Sequence, residues 1–163
     1  MEPKVSIIMG STSDLEIMQK AADLLNEFKI PFELNALSAH RTPEKVMNFA
    51  KEARDRGVKV IIAGAGGAAH LPGVIASMTP LPVIGVPIRS SISLDGWDSV
   101  LSILQMPPGI PVATVGTDAS RNAAILATQI LALTNENIMK TMENYKAGLV
   151  QKISKANDDL AAV

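Results

Sequence analysis

A chain of 163 residues, 47% hydrophobic and 19% charged, is long enough for one globular domain with a full core. Its formal net charge of −1 argues against a nucleic-acid partner, because phosphate backbones are bound by basic faces. The lack of cysteine excludes disulfides and thiolate metal sites. No apolar run approaches the ~18 residues of a membrane span and no secretion signal opens the sequence, so we expect a cytoplasmic protein.

Short β-rich runs alternate with amphipathic helical patterns, which is typical of a parallel sheet built from βαβ units. The predicted strands are 4–9, 32–37, 58–63, 83–86 and 112–115. The predicted helices are 15–28, 43–57, 71–78, 98–104, 119–133 and 135–159. We therefore predict a single α/β domain over 1–163, with a five-stranded parallel sheet, helices on both faces and an additional C-terminal helix.

The last helix, 135–159, has no strand after it, yet it carries an apolar stripe. The stripe consists of Ile138, Met142, Tyr145, Leu149 and Ile153. Packing on its own sheet and packing on a neighbouring subunit both remain open. An aromatic content of only 3% favours the second, because a core of small side chains gains from burial between subunits.

The first candidate segment, Gly10-Ser11-Thr12-Ser13-Asp14, follows the first strand at the edge where open α/β sheets bind ligands. Free N–H groups at the start of the next helix and the serine hydroxyls favour an anion there. Asp14 would be repelled by a phosphate and is better suited to accept hydrogen bonds from ribose hydroxyls. The alternative is ordinary N-capping by Ser13 or Asp14.

The second segment, Ser38-Ala39-His40-Arg41-Thr42-Pro43, has the same place after the second strand. Arg41 offers a planar fork that suits phosphate or carboxylate. An imidazole titrates near neutral pH, which makes His40 a candidate acid or base. A solvated arginine and an inert histidine are the alternative, but these side chains stand together with the hydroxyls of Ser38 and Thr42.

The third segment, 64–73, is rich in Gly and Ala. Gly64-x-Gly66-x-x-Ala69 loosely matches a dinucleotide fingerprint, but it follows the third strand instead of the first and lacks the acidic residue that would bind ribose. We therefore reject NAD. The backbone amides of 65–68 could close over a small planar or anionic group. Whether His70 is functional or structural stays open at this point.

The two histidines have no third ligand at metal-site spacing, and the chain has no Gly-x-Ser-x-Gly elbow and no phosphate-binding P-loop. We therefore expect no metal, no cofactor and no covalent nucleophile. The remaining candidate groups are a phosphate-binding segment, a carboxylate that can accept hydrogen bonds from ribose, and an imidazole. This set suits proton transfer on a phosphorylated small molecule.

Seven motifs occur in order along the chain: Gly-Ser-Thr-Ser-Asp at 10–14, Ser-Ala-His-Arg-Thr-Pro at 38–43, Ala-Gly-Ala-Gly-Gly-Ala-Ala-His-Leu-Pro-Gly at 63–73, Gly-Val-Pro at 85–87, Leu-Asp-Gly-Trp-Asp-Ser at 94–99, Gln-Met-Pro at 105–107 and Asn-Ala-Ala at 122–124. Together they resemble the class I phosphoribosylaminoimidazole carboxylase catalytic subunit, or N5-carboxyaminoimidazole ribonucleotide mutase, family of purine biosynthesis. The resemblance covers nearly the whole chain and implies a flavodoxin-like, Rossmann-type fold.

The resemblance also implies a cofactor-free isomerisation, in which a carboxylate moves from N5 of the substrate to C4 of its imidazole. His40 would be the general acid and base. Ser11, Ser13 and Arg41 would bind the 5′-phosphate, and Asp14 the ribose. The CO₂ released on the way would be confined by the backbone of 65–68 together with Ser38 and His70. The other substrate-binding residues are thus Ser38, Ala65, Gly66, Ala68 and His70, with Leu71 beside them.

The family is a homo-octamer with sites at subunit contacts, so 94–99 and 105–107 would line the site from the same or a neighbouring subunit. A functional link to the synthetase that makes the N5-carboxylated nucleotide is implied as well. The chain departs from the family pattern at 115–118 and at Ser120-Arg121. These departures put local packing in doubt and leave the chemistry intact.

Two alternatives remain. One is the class II branch of the family, which carboxylates aminoimidazole ribonucleotide directly with CO₂. The other is a non-catalytic nucleotide- or FMN-binding module of flavodoxin type. That module would give no reason for His40, and the chain has few aromatic side chains to stack on a flavin.

Overall fold

The computed structural model describes residues 2–161; Met1 and 162–163, at the ends of the predicted 1–163 domain, lie outside the described residues. The chain divides into two compact units, residues up to Ala127 and residues from Thr128 onward. That the whole chain forms a single domain stays a prediction.

Within the described residues, five parallel strands form the sheet of the first unit. They are β1 (Val5–Met9), β2 (Phe32–Ala36), β3 (Val60–Gly66), β4 (Val83–Ile88) and β5 (Ala113–Thr114). Their order across the sheet is β2-β1-β3-β4-β5, and each neighbouring pair is parallel. This is the flavodoxin-like order, so the predicted fold class is confirmed. Because the strand order reverses between β1 and β3, a crevice opens at their carboxyl ends.

In the described part of the chain, α-helices connect successive strands and also follow the last one. They are α1 (Leu15–Glu27), α2 (Pro43–Glu52), α3 (Leu71–Ala76), α4 (Trp97–Leu104) and α5 (Ser120–Ala132), followed by α6 (Glu136–Ala161). A short 3₁₀ helix, Thr12–Asp14, precedes α1. Pro43 begins α2, where its fixed φ suits the first helical turn and its missing N–H costs nothing.

The two faces of the sheet bury different helices, because side chains alternate along a strand. On one face Ala63 belongs to a buried cluster that includes side chains of α2, α3 and α4. On the other face Gly64 lies against Met18 of α1, and a Cβ at this position would collide with the methionine sulfur. Glycine at 64 therefore lets α1 pack closely on the sheet.

The main difference from the predicted elements is in β3, expected at 58–63 and found at Val60–Gly66. Gly64, Ala65 and Gly66 continue the strand because they pair with Val86, Pro87 and Ile88 of β4. Part of the expected small-residue loop is therefore sheet. The helix expected at 43–57 ends at Glu52, and a turn leads to Gly57, which adopts φ 92°.

In the second unit, α6 begins and ends within two residues of the predicted 135–159. Its apolar stripe is covered at the start and open farther along: Met142 is 3% exposed, whereas Leu149 is 48% and Ile153 70% exposed. Among residues 2–161, none of the helices has the length and apolar composition needed to cross a bilayer.

Candidate active site

A cavity of about 540 Å³ lies at the carboxyl edge of the sheet. Four segments line it, one at the carboxyl end of each of the first four strands. The lining residues are Gly10, Ser11, Ser13, Asp14, Ser38, Ala39, His40, Arg41, Ala65, Gly66, Ala69, His70, Leu71, Ser90, Ser91 and Ile92. The structure therefore brings together all of the predicted site residues except Ala68.

The first segment bends into the short 3₁₀ helix before α1. The Ser11 hydroxyl accepts a hydrogen bond from the Ser13 backbone N–H at 3.3 Å and so caps that turn. The Ser13 hydroxyl donates to Oδ1 of Asp14 at 3.2 Å. Asp14 stands at the N-cap position of α1 but makes no capping hydrogen bond with its side chain. The capping alternative for Ser13 or Asp14 is therefore wrong, since Ser11 is the side chain that caps.

Asp14 is a buried acid at the wall of the cavity, with 8% of its surface exposed. Burial raises the pKa of this carboxyl above its ordinary value, and the hydrogen bond from Ser13 offsets part of the rise. A carboxylate has about four acceptor positions on its two oxygens. Asp14 thus has spare capacity for the hydroxyl groups of a ligand.

The second segment is attached to the first through Arg41. The Arg41 guanidinium donates from Nη2 to the Gly10 carbonyl at 3.1 Å and from Nε to the Ser38 hydroxyl at 3.4 Å. The guanidinium thereby lies beside the turn that leads into α1. The Thr42 side chain stabilises the loop itself. Its hydroxyl accepts a hydrogen bond from the Ser38 N–H and donates one to the Ser38 carbonyl, each at 3.0 Å.

The two histidines of the chain contact each other across the cavity. Nε2 of His40 lies 2.7 Å from Nδ1 of His70, and the rings meet edge to face at an interplanar angle of 84°. At this distance one nitrogen donates a hydrogen and the other accepts it. Each imidazole is therefore held in one orientation by the other.

The third segment supplies a wall of small and apolar residues. Ala65 and Leu71 line the cavity and are 6% and 3% exposed. The turn between β3 and α3 contains two residues with positive φ, Gly67 at 60° and Ala69 at 49°. Ala68, between them, does not line the cavity, and its carbonyl accepts a hydrogen bond from Ser102 of α4 at 2.6 Å.

Three lining residues of the fourth segment, Ser90, Ser91 and Ile92, were missed by the sequence analysis. The available signal was their position just after the fourth strand, at the same edge as the other three segments. Ser90 packs so closely on Gly66 that a Cβ on the glycine would lie 2.9 Å from that of the serine. Within the described residues, the buried Ser90 hydroxyl has no hydrogen-bond partner.

The segments 94–99 and 105–107 do not line this cavity. The possibility that they line the site from within the same subunit is therefore not supported, and a neighbouring subunit remains open. The departures from the family pattern are accommodated locally: Asp118 accepts a hydrogen bond from the Arg89 N–H at 3.0 Å, and the Ser120 hydroxyl donates to the Ile17 carbonyl at 2.5 Å.

Over residues 2–161, no cluster of three or more His, Asp or Glu side chains is arranged to hold a metal ion. The polar groups that converge on the cavity are a guanidinium, a carboxylate, two imidazoles and several hydroxyls. This set can bind an anion, accept hydrogen bonds from hydroxyl groups and transfer a proton.

The sequence profile of the AIR carboxylase family matches residues 4–152. The chain belongs to this family. It is 57% identical to the N5-carboxyaminoimidazole ribonucleotide mutase of Pyrococcus abyssi, over 88% of this chain and 82% of that protein. The mutase of the same name from Bacillus subtilis is 51% identical, over 98% of this chain and 99% of that one.

Two further similar proteins are a much longer relative and a relative of known structure. The phosphoribosylaminoimidazole carboxylase of Schizosaccharomyces pombe is 53% identical over 99% of this chain, which spans only 29% of that longer protein. The crystal structure of Treponema denticola PurE superimposes with a TM-score of 0.86 at 34% identity, and the match covers 97% of this chain and 98% of that one. The resemblance seen in the motifs is thereby confirmed for family and fold.

Proposed function

We propose that this protein is an N5-carboxyaminoimidazole ribonucleotide mutase of purine biosynthesis, an isomerase that moves the N5 carboxylate of its substrate to C4. The observation that carries the proposal is the joining of Asp14, His40 and Arg41 in one cavity. These residues supply the ribose acceptor, the acid and base, and the cation that such a ribonucleotide needs. The proteins named as mutases that are 51–57% identical to this chain support the same reaction.

The nucleotide is held at the phosphate and the ribose. Arg41 and the hydroxyls of Ser11 and Ser13 bind the 5′-phosphate, and the positive end of the α1 dipole adds to the attraction. Asp14 accepts hydrogen bonds from the ribose hydroxyls. Its raised pKa fits this arrangement, because burial removes water from the carboxylate and the hydrogen bond from Ser13 leaves acceptor positions that ribose hydroxyls can fill.

The reaction consists of two proton transfers at His40. First, the bond between N5 and the carboxylate carbon breaks, its electron pair stays on nitrogen, and N5 takes a proton from His40 as CO₂ leaves. C4 then attacks the CO₂ to form a carbon–carbon bond, and His40 takes the proton that C4 gives up. The protons balance over the cycle, so the steps consume no further reactant.

The CO₂ is retained by the apolar wall of the cavity. Ala65 and Leu71 are almost fully buried there, next to Gly66 and the ring of His70. An uncharged CO₂ fits against such a wall, and holding it beside C4 makes its recapture effectively unimolecular. Ser38 lines the same cavity from the loop after β2.

Direct carboxylation of aminoimidazole ribonucleotide is the competing reaction, and an isotope experiment separates the two. The protein is given substrate with ¹³C in the N5 carboxylate, in a large excess of unlabelled bicarbonate. Retention of ¹³C in the C4 carboxylate of the product supports the mutase. A product without label, formed equally fast from aminoimidazole ribonucleotide and bicarbonate, contradicts it.

The flavin-binding alternative has little support from the cavity. Its lining residues include no Trp, Tyr or Phe to stack on an isoalloxazine ring. Purified protein that is colourless and carries no nucleotide would agree with the mutase. A yellow preparation would favour the flavin-binding module.

We also propose that the chain assembles into a homo-octamer in the cytoplasm. On α4, Trp97, Leu101 and Leu104 share one face and are 64%, 46% and 60% exposed, which is unusual for large apolar side chains. Leu149 and Ile153 of α6 are similarly open. A neighbouring subunit would cover these faces, and light scattering at eight times the 17.2 kDa chain mass is the expected result. A synthetase that makes the N5-carboxylated nucleotide is the functional partner.

A further inference from the structure

The turn that delivers His70 to the cavity has an unfavourable backbone conformation. Gly67 and Ala69 both have positive φ, and at Ala69 the Cβ makes this conformation costly. The Ala69 N–H donates to the Gly66 carbonyl at 3.2 Å, which closes the turn at one side. His70 follows immediately and stands at the N-cap of α3.

A serine of another helix holds the middle of this turn. The Ser102 hydroxyl donates to the Ala68 carbonyl at 2.6 Å, across 34 positions of sequence. α4 is itself anchored to the sheet, because the buried Ser99 hydroxyl shares its one hydrogen between the Ile88 carbonyl at 3.2 Å and the Gly96 carbonyl at 2.9 Å. Ser102 thus ties the turn to a fixed part of the fold.

The position of the turn decides the contact between the two imidazoles. His70 is two residues after the carbonyl that Ser102 holds, and its Nδ1 lies 2.7 Å from Nε2 of His40. Hydrogen bonds weaken steeply as their distance and angle depart from the optimum. A turn free to shift by a few tenths of an ångström would therefore loosen the orientation of His40.

We propose that Ser102 is a positioning residue for the histidine pair. It touches neither the cavity nor a ligand and acts through the Ala68 carbonyl on His70, and through His70 on His40. The inference rests on the proposed mutase function for its kinetic consequence. Its structural consequence, a fixed contact between two rings, does not depend on that function.

The kinetic test compares Ser102→Ala with Ser102→Thr. We expect the alanine variant to lower kcat by about 10- to 100-fold. KM for the N5-carboxylated nucleotide should stay near the parent value, because the phosphate and ribose contacts are elsewhere. The pH profile of kcat should shift too. The threonine variant keeps a hydroxyl and should restore most of the rate.

Ser77→Ala is the matched control. The Ser77 hydroxyl also donates to a backbone carbonyl, that of Val74 at 2.7 Å, but it lies at the far end of α3. This variant should keep the parent kcat. Equal kcat values for Ser102→Ala and Ser77→Ala, or a threonine variant as slow as the alanine variant, would overturn the proposal.

A spectroscopic test separates this inference from the proposed function. The chain has only two histidines, so ¹⁵N-histidine labelling gives few ring signals, which can be recorded on sedimented protein of any assembly size. We expect Ser102→Ala to shift or broaden the ring signals of His70 and His40 without ligand, and Ser77→Ala to leave them unchanged. Identical spectra would overturn the positioning role even in an active mutase, and the expected shift would uphold it in a protein without mutase activity.

Discussion

Asp14 and Asp98 both stand at the start of a helix that follows a strand of the same sheet, yet their surroundings differ. The Asp98 carboxylate accepts hydrogen bonds from the Ser93 hydroxyl at 2.6 Å and from the N–H groups of Leu94 and Ser99 at 3.0 and 2.9 Å. For Asp14, the structure shows one hydrogen bond from a neighbouring side chain, that of Ser13.

The pKa values of these two carboxyl groups are shifted in opposite directions. The hydrogen bond from Ser93 and those from the Leu94 and Ser99 N–H groups lower the pKa of Asp98, whereas burial raises the pKa of Asp14. The loop before α4 thus uses the hydrogen bonds of Ser93 and Asp98 to hold its own shape, whereas Asp14 keeps acceptor positions for further partners. Spare hydrogen-bonding capacity at a buried group in the wall of a cavity favours a role in binding, which is the role proposed for Asp14.

The largest expected effect comes from His40→Asn, in the cavity that Asp14 also lines. Asparagine keeps a polar side chain of similar reach but cannot carry the proton, so we expect kcat to fall by about 10²- to 10⁴-fold. Nucleotide binding, measured by calorimetry with the product, should be largely kept. A variant that isomerises at nearly the parent rate would show that another group transfers the proton.

Arg41→Ala tests the phosphate contact. Loss of a charged hydrogen bond costs about 1.5–3 kcal/mol. KM should therefore rise by about 10- to 150-fold, with a smaller change in kcat. Arg54→Ala is a suitable control, because Arg54 does not line the cavity. An unchanged KM for Arg41→Ala would argue against phosphate binding at this residue.

Ser90 and Ser99 extend the comparison between a hydrogen-bonded and a sparsely bonded polar group from carboxylates to hydroxyl groups. Ser99→Ala removes the hydrogen that a buried hydroxyl shares between two carbonyls and should lower the free energy of unfolding by about 1–3 kcal/mol. Ser90→Ala removes a hydroxyl without a partner among the described residues, so stability should be unchanged or raised by at most about 1 kcal/mol. Urea denaturation measures both. Equal losses of unfolding free energy in the two variants would mean that the Ser90 hydroxyl also makes a hydrogen bond.

The smallest effects concern the pH dependence of stability. A raised pKa means that folded Asp14 favours its proton, so its contribution is present below pH 3.8 and is lost as the pH rises through the raised value. Asp14→Asn should therefore gain stability over the parent as the pH rises to neutral. Asp98 has a lowered pKa, so it stabilises above pH 3.8 and loses this effect as the pH falls through its lowered value.

Asp98→Asn should therefore be less stable than the parent at neutral pH, and the deficit should shrink under acid conditions. Denaturation curves at several pH values measure both variants. The two stability differences should have opposite signs at neutral pH. Equal signs would remove the distinction between the two carboxylates.

The sequence was most informative where pattern and topology coincide. The strands before Gly10 and Ser38 were predicted closely, because a short, mostly apolar run and an alternation of apolar and polar residues are both clear strand signals. Since parallel strands point their carboxyl ends the same way, the segments after them were expected to meet, and residues from each line the cavity. The roles of these residues stay predictions.

Other features depend on contacts that no local pattern encodes. The extension of β3 through Gly66 comes from pairing with β4. The contact between His40 and His70 joins positions 30 residues apart, and the hydrogen bond from Ser102 to Ala68 joins positions 34 apart. Such distances in sequence are decided by tertiary packing, so these contacts could be read only from the structure.

Trp97 is the chain's single tryptophan, and 64% of its surface is open to water. The indole of Trp97 lies on the apolar face of α4, and no other tryptophan contributes to the fluorescence of the chain. Joining of subunits at that face would move the indole into a drier environment and shift its emission to shorter wavelength, so assembly could be followed in the unlabelled wild-type protein.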